Sequence, residues 1–249
     1  MQLSDFLGSN YEFICSGFNS GQYNMDFDRE RTDTFARELE GGNPAPKAMF
    51  RLYGWKPFAV SLGFNQKAED IDPALCTANG FDIVRRPTGG RAVLHSNELT
   101  YSVVCALPKG KSPQDLYRDI HIYLLEKLSG LGFGDEVGFE KSQPDFAALY
   151  KSVDRERSVS CFASAARWEI SYHGKKLVGS AQRVFGHTLL QHGSILLGDG
   201  HERLADVIAG ISDEKRLSLK AFTAGHSVTL SQICRRDITF AEAEKLFNS

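Results

Sequence analysis

The chain has 249 residues, a formal charge of -2, 42% hydrophobic residues and 24% charged residues. It can bury a sizeable core, and Lys+Arg 29 against Asp+Glu 31 leaves no electrostatic footprint for a nucleic-acid partner. No stretch approaches the ~18 consecutive apolar residues of a membrane helix, and Met1 to Asp5 lack the basic start of a signal peptide.

Cys15, Cys76, Cys105, Cys161 and Cys234 are odd in number and well separated, which argues against a disulfide framework or a zinc knuckle. The expectation is a cytoplasmic protein with reduced thiols, no membrane partner and no metal site.

In chain order, Tyr11 to Ser16 reads as a short strand, and Asn24 to Glu40 as a helix that stops at Gly41-Gly42. Its charged residues Asp26, Asp28, Arg29, Glu30 and Arg31 read as a solvated face. Ala48 to Tyr53 and Phe58 to Leu62 read as strands bent apart by Gly54 and Pro57. A short helix at about 67–79 precedes strands at Asp82 to Arg86, Arg91 to His95 and Leu99 to Leu107. Ser112 looks like an N-cap with Pro113 at the first helical position, and Leu116, Ile120, Leu124, Leu128 and Leu131 recur at helical spacing. Arg167 to Tyr172, Lys176 to Val184 and Thr188 to Leu197 read as strands, with His173-Gly174 as a hairpin turn. The residues from about 199 to 249 look helical, with a Thr239–Glu242 capping box before Ala243 to Phe247. The pattern predicts an α+β fold, one domain over 1–249 with a short helical C-terminal segment, and a mixed or mostly antiparallel sheet.

Four stretches carry candidate chemistry. In Arg85 to His95, Gly89-Gly90 lies between two strands and among Arg85, Arg86 and Arg91. Glycine lets a backbone approach a ligand closely, and guanidinium groups beside free N–H groups would hold a phosphate or carboxylate. The plain alternative is a Gly-Gly hairpin with solvated arginines. In Gly174 to Gln182, the residues Lys176, Val178 and Ser180 would share one strand face, and Gly179, Ser180 and Ala181 leave room against the backbone. A tight hairpin with a surface lysine fits equally. Cys161 follows a charged stretch, Lys151 to Arg157, and reads either as a small buried hydrophobe or as a nucleophile. Gln191-His192-Gly193-Ser194 is a polar centre in an apolar strand, where a structural histidine is the default. His187 and His192, five apart, face opposite sides of a regular strand and do not make a paired metal site.

In this order the stretches resemble the lipoate–protein ligase and octanoyltransferase superfamily, related to biotin protein ligases. Ser16 to Met25 resembles its opening helix signature, and Arg51 to Pro57 with Ser61-Leu62-Gly63 its first hairpin. Arg85 to His95 resembles its ligand loop, Lys176 to Gln182 its lysine strand, and Gln191 to Leu196 follows in place. The resemblance implies the biotin/lipoate ligase catalytic-domain fold: a bent, mixed or mostly antiparallel sheet flanked by helices. It also implies an acyl chain held between the Gly89-Gly90 loop and the Lys176 strand.

Two chemistries divide that superfamily. Ligases activate lipoate with ATP and Mg and need no thiol; octanoyltransferases use a cysteine thioester and no ATP. Cys161-Phe162 shortly before Trp168-Glu169 is similar to the cysteine-dependent octanoyltransferases of the ligase-like branch, although Ala163-Ser164-Ala165-Ala166 departs from their pattern. The chain past Leu197 is also short for the accessory domain of long ligases.

The resemblance thus implies Cys161 and Lys176 as catalytic residues, with no cofactor. It implies Arg86, Gly89, Gly90, Arg91, His95, Gly179, Ser180, Ala181, Gln191 and His192 as substrate-binding residues. The implied donor is acyl carrier protein. The implied acceptor is a lipoyl-carrier domain, on glycine cleavage H protein or a 2-oxoacid dehydrogenase E2. The alternatives are an ATP-dependent lipoate ligase, an amidotransferase between carrier domains, or a non-catalytic acyl or carrier-protein binding module.

Overall fold

In the computed structural model, which describes residues 1–133, 136–139 and 168–248, a short helix Ser4–Leu7 (α1) precedes strand Tyr11–Asn19 (β1). The hydroxyl of Ser20 accepts from the Tyr23 N–H and so caps Gly21–Glu40 (α2), which therefore starts three residues before the expected Asn24. Strands Ala48–Trp55 (β2) and Ala59–Leu62 (β3) follow. The expected helix at 67–79 is two pieces. A 3-10 turn Ala68–Asp70 ends at extended Ile71, and Asp72 caps a new helix with Pro73 in its first turn, Pro73–Asn79 (α3). Next come Asp82–Arg85 (β4), Val93–His95 (β5), Glu98–Ala106 (β6) and Pro113–Leu128 (α4), whose Ser112–Asp115 capping box is complete.

Val137–Phe139 (β7), Ile170–Tyr172 (β8) and Lys175–Lys176 (β9) form a small antiparallel sheet. The β8–β9 turn is His173-Gly174 with φ of 48° and 75°, the left-handed backbone that a two-residue hairpin requires. Val178–Phe185 (β10) and Thr188–Leu196 (β11) belong to a different sheet. The expected strand from Lys176 to Val184 is thus divided at Leu177, whose N–H goes to the Ile170 carbonyl of the small sheet while its carbonyl accepts from Leu196 of the large one. A 3-10 segment His201–Val207 and helices Asp213–His226 (α5), Leu230–Cys234 (α6) and Phe240–Lys245 (α7) complete the described chain. Thr239 caps α7, but the Glu242 carboxylate pairs with Arg236, so the second half of the expected capping box is not made.

The large sheet has the order β1-β2-β6-β11-β10, with β1 and β2 parallel and the other pairs antiparallel. A second sheet, β4-β3-β5, is also mixed. The fold is α+β with mixed sheets and flanking helices, as expected, although the single bent sheet resolves into separate ladders. Strands β2 and β11 are buried throughout and β6 all but throughout, because helices cover both faces. On one face α4 packs Leu116, Ile120, Leu124 and Leu128 against Phe50, Leu52, Tyr101 and Val103 in the main core. On the other face α2 crosses β2, β6 and β11. The pleat sends alternate residues of each strand to these two faces. One set is apolar; the other is polar and forms the floor of a cleft.

Candidate active site

The polar face begins with Asp28 of α2. It was expected on a solvated face, and the structure corrects this: Asp28 is fully buried. Its carboxylate accepts from Arg51 Nη1 at 3.0 Å, Ser102 Oγ at 2.8 Å and Tyr53 Oη at 3.1 Å, and His192 Nδ1 stands 3.5 Å away. Burial opposes ionisation of Asp28. The His192 hydrogen bond and the Arg51 charge outweigh it and hold the carboxyl below its ordinary value. His192 Nε2 lies 2.6 Å from Thr88 Oγ1, so the histidine ties α2 and β11 to the loop between β4 and β5. Asn24, Asp28 and Thr32 recur every four residues, and this inward polar stripe was the signal that sequence reasoning missed.

That loop is braced from inside. Arg86 is buried; its guanidinium donates to the carbonyls of Ser61, Gly89 and Arg91 and to the Ser61 hydroxyl, at 2.6 to 3.2 Å. It clamps the loop shut on itself. The carbonyl of Gly90 lies where a Cβ on Gly63 would sit, at 1.9 Å, so the two turns touch only because Gly63 has no side chain. His95 stacks on Trp55 with ring centroids 3.9 Å apart and places Nε2 2.8 Å from Ser61 Oγ and Nδ1 2.8 Å from Glu98 Oε1. Burial resists the charge on Glu98. His95, Thr100 and Ser194 stabilise it, and the carboxyl lies below its ordinary value.

On β10, Ser180 ends a chain of hydrogen bonds whose direction can be derived. The Pro113 carbonyl can only accept, so Gln182 Nε2 donates to it, at 3.1 Å, and to Gln191 Oε1 at 3.0 Å. Gln191 Nε2 therefore donates to Tyr101 Oη at 2.8 Å, and Tyr101 gives its proton to Ser180 Oγ at 2.7 Å. His121 Nε2 is 2.9 Å from the same oxygen. Burial, with the Lys176 charge, pushes the His121 pKa down to about 3, so the ring is neutral. Its Nδ1 has no hydrogen-bond partner among the described residues, and an orphaned lone pair is less costly than an orphaned N–H. The proton thus sits on Nε2 and is donated to Ser180. Ser180 accepts from both neighbours, on the side of the sheet that faces α4, and its own proton is committed to neither of them. Gly193 lies opposite Ser180; a Cβ there would stand 2.3 Å from Ser180 Oγ and 2.7 Å from the Tyr101 ring.

The cleft encloses about 430 Å³ of empty space, partly open to solvent. Of the expected residues it brings together Arg86, His95, Gly179, Ser180, Ala181 and His192, joined by Gly193 and Ser194. Gln191 lies beneath it, in the chain that aims Ser180. Gly89 and Gly90 are exposed on the loop outside, and Arg91 contributes its backbone carbonyl to Arg86. Lys176 is buried and does not line the cleft; its Nζ is 2.8 Å from Glu169 Oε1, a partner as buried as itself. Sequence reasoning used Glu169 only as a landmark, and missed Tyr101 and His121, which sit among apolar residues, and Glu98, which follows the polar Ser96-Asn97 turn. Cys161 lies outside the described residues. Burial raises the thiol pKa of Cys76 to about 11 and of Cys105 to about 12, and also raises that of Cys234; Cys15 is exposed, and partial desolvation together with the Glu244 carboxylate raises its thiol to about 11. Among the described residues no group of three His, Cys, Asp or Glu side chains could hold a metal ion. No described helix is long and apolar enough to cross a membrane.

Solved structures share this architecture. A bipartite lipoate protein ligase from Thermoplasma acidophilum, studied with its E2 lipoyl domain, superposes with a TM-score of 0.69 at 18% identity over 96% of this chain and 81% of that one. A lipoate-protein ligase A bound with ATP gives 0.59 at 17% identity, over 96% and 95%. At such identities the likeness defines the fold, that of the lipoate ligase catalytic domain. Sequence carries the assignment further. Residues 20–248 match the lipoyl protein ligase A/B catalytic domain. Octanoyltransferase LipM of Macrococcus caseolyticus is 34% identical over 239 residues, 94% of this chain and 83% of that protein. LipM of Staphylococcus aureus is 32% identical over 241 residues, 95% and 84%. The chain belongs to the lipoyl protein ligase A/B catalytic domain family, and it is an acyltransferase enzyme.

Proposed function

We propose that this enzyme moves an octanoyl group from octanoyl-acyl carrier protein, through a thioester on Cys161, to a lysine of a lipoyl-carrier domain. The observation that carries the reading is the identity of about a third with proteins named octanoyltransferase along nearly the whole chain. The other four thiols are consistent with it: each has a raised pKa, and none lines the cleft.

In the first step the Cys161 thiolate attacks the donor carbonyl. A new C–S bond forms, the old one breaks, and the pantetheine thiolate leaves and takes a proton. The exchange of one thioester for another needs no ATP. The acceptor lysine, as free amine, then attacks the acyl-enzyme; an amide forms, the amine proton is lost and the Cys161 thiolate is released. Lys176 supplies positive charge that favours the thiolate, and Glu169 fixes that ammonium in place, since a cation buried so deeply needs a carboxylate partner. Ser180, which lines the cleft and whose proton is committed to neither Tyr101 nor His121, donates to the carbonyl oxygen as it gains charge, a contact whose loss typically costs ~3–4 kcal/mol of barrier. The Arg86-clamped loop and the Trp55–His95 stack wall the acyl chain. Acceptors are the lipoyl domains of H protein or E2 components.

The test is intact mass of the protein mixed with octanoyl-acyl carrier protein, without ATP. A hydroxylamine-labile octanoyl adduct is expected on the wild type and not on Cys161→Ser. An adduct that survives the substitution removes Cys161 from the mechanism. If acyl-adenylate appears with lipoate and ATP, and no adduct forms without them, the enzyme is a ligase.

A further inference from the structure

Beside the acyl cleft, on the outer side of the Arg86 loop, lies a second hollow of about 660 Å³. Arg29, Arg85, Arg86 and Arg183 line it, with Phe64 and Phe185. Arg86 lines both hollows, so they adjoin. The chain as a whole carries a net charge of -2, and this concentration of guanidinium groups departs from it.

Two of these arginines are held rigidly without a carboxylate partner among the described residues. Arg85 Nη1 donates to the carbonyls of Gly63, Phe64 and Gln66 at 2.6 to 3.1 Å. Arg183 Nη1 donates to the Pro87 carbonyl at 2.9 Å, and its guanidinium stacks over the rings of Phe64 at 4.0 Å and Phe185 at 4.8 Å. Carbonyl acceptors orient a guanidinium but do not neutralise it. Arg29 pairs with Asp26 at the exposed edge, and Asp33 also borders the hollow, so the uncompensated charge is centred on Arg85 and Arg183. A planar cation fixed in this way, with donors to spare, matches a phosphate oxygen pair. Phe64 is 47% exposed beside it and offers apolar surface to whatever joins that phosphate to the cleft.

We propose that this groove takes the phosphodiester of the acyl donor's phosphopantetheine arm, with Arg183 and Arg85 as its contacts, while the acyl end enters the adjoining cleft. The inference rests on the reading that the donor is a phosphopantetheine thioester. Of the three arginines to which the sequence pointed, it keeps Arg85, sets aside Arg86 and Arg91, and adds Arg183, on a strand where nothing pointed to it.

The experiment compares transfer rates from octanoyl-pantetheine, octanoyl-phosphopantetheine and octanoyl-acyl carrier protein in the wild type and in Arg183→Met, which keeps an apolar stem between the two rings. The ratio of KM for the phosphorylated donors to KM for octanoyl-pantetheine is expected to rise about tenfold in the variant, a loss of the size of one charge-assisted contact. Arg85→Gln is expected to shift the ratio the same way. In the wild type the ratio should rise with ionic strength. An unchanged ratio, or an equal loss with all three donors, overturns the proposal, the second outcome giving Arg183 a structural role only. A shift with the carrier protein but not with phosphopantetheine moves the contact to the protein surface and also overturns it. If the wild type takes octanoyl from none of the three donors, the transferase reading itself fails and takes this one with it.

Discussion

His121 shows what burial does to one side chain. It lies on α4 among core leucines, neutral, with its pKa near 3 against an ordinary 6.5. Between those values the unfolded chain binds a proton that the native ring refuses. The unfolded state is then favoured, and stability falls as the pH is lowered. From pH 7 to pH 5 this one group should cost about 2 kcal/mol. His192 and His201 are depressed in the same direction, also chiefly by burial. Urea unfolding of the wild type and His121→Gln at both pH values is the check: the variant should lose about 2 kcal/mol less on acidification. An identical loss in both proteins would show that His121 takes up its proton in the native state.

Helix α2 and strand β2 are joined by charge rather than by apolar packing alone. Arg51 is fully buried, its guanidinium shared between Asp28 and Asn24. Removing one member of such a pair leaves the other charged and unmatched. Asp28→Ala is therefore expected to lower unfolding free energy by about 3–5 kcal/mol, far more than an exposed ion pair on the same helix such as Arg29–Asp26. Denaturant titration of Asp28→Ala beside Asp26→Ala measures the contrast. The same network holds His192 against Thr88. Any Asp28 variant stable enough to assay should thus also loosen the loop beside the cleft, seen as faster amide exchange around Thr88.

At the scale of the whole molecule the helices divide the work between two faces of one sheet. The face under α4 is a contiguous apolar core, and Leu124 is fully buried within it. Leu124→Ala should cost about 2–5 kcal/mol, the range for a cavity in a packed interior. The face under α2 carries the Asp28 network and most of the cleft, while His121 of α4 reaches Ser180 from the other face. A change in the α4 core that leaves His121 in place should therefore lower the midpoint of thermal unfolding with little effect on KM for the acyl donor. A large KM change would show that the two faces are mechanically coupled through β6 and β11.

Much of this was legible in local pattern. The α4 stripe, its cap, the His173-Gly174 turn and the strands β2, β6 and β11 follow from residue spacing, because neighbours in sequence decide a turn or an amphipathic face. Cleft residues His95, Gly179, Ser180, Ala181 and His192 also stood out, since glycine, serine and histidine are conspicuous inside apolar strands. Other features were invisible. Asp28 looked solvated because a charged helix gives no hint of an arginine waiting on a strand beneath it. Arg86 looked like an anion ligand because sequence does not show that two loop carbonyls and one from β3 converge on it. The break at Leu177 depends on which sheet each half of a strand pairs with, and the hydrogen bonds that Ser180 accepts depend on four side chains from four elements. Local physics settled the elements; long-range pairing settled which charges were neutralised, and therefore which remained to do chemistry.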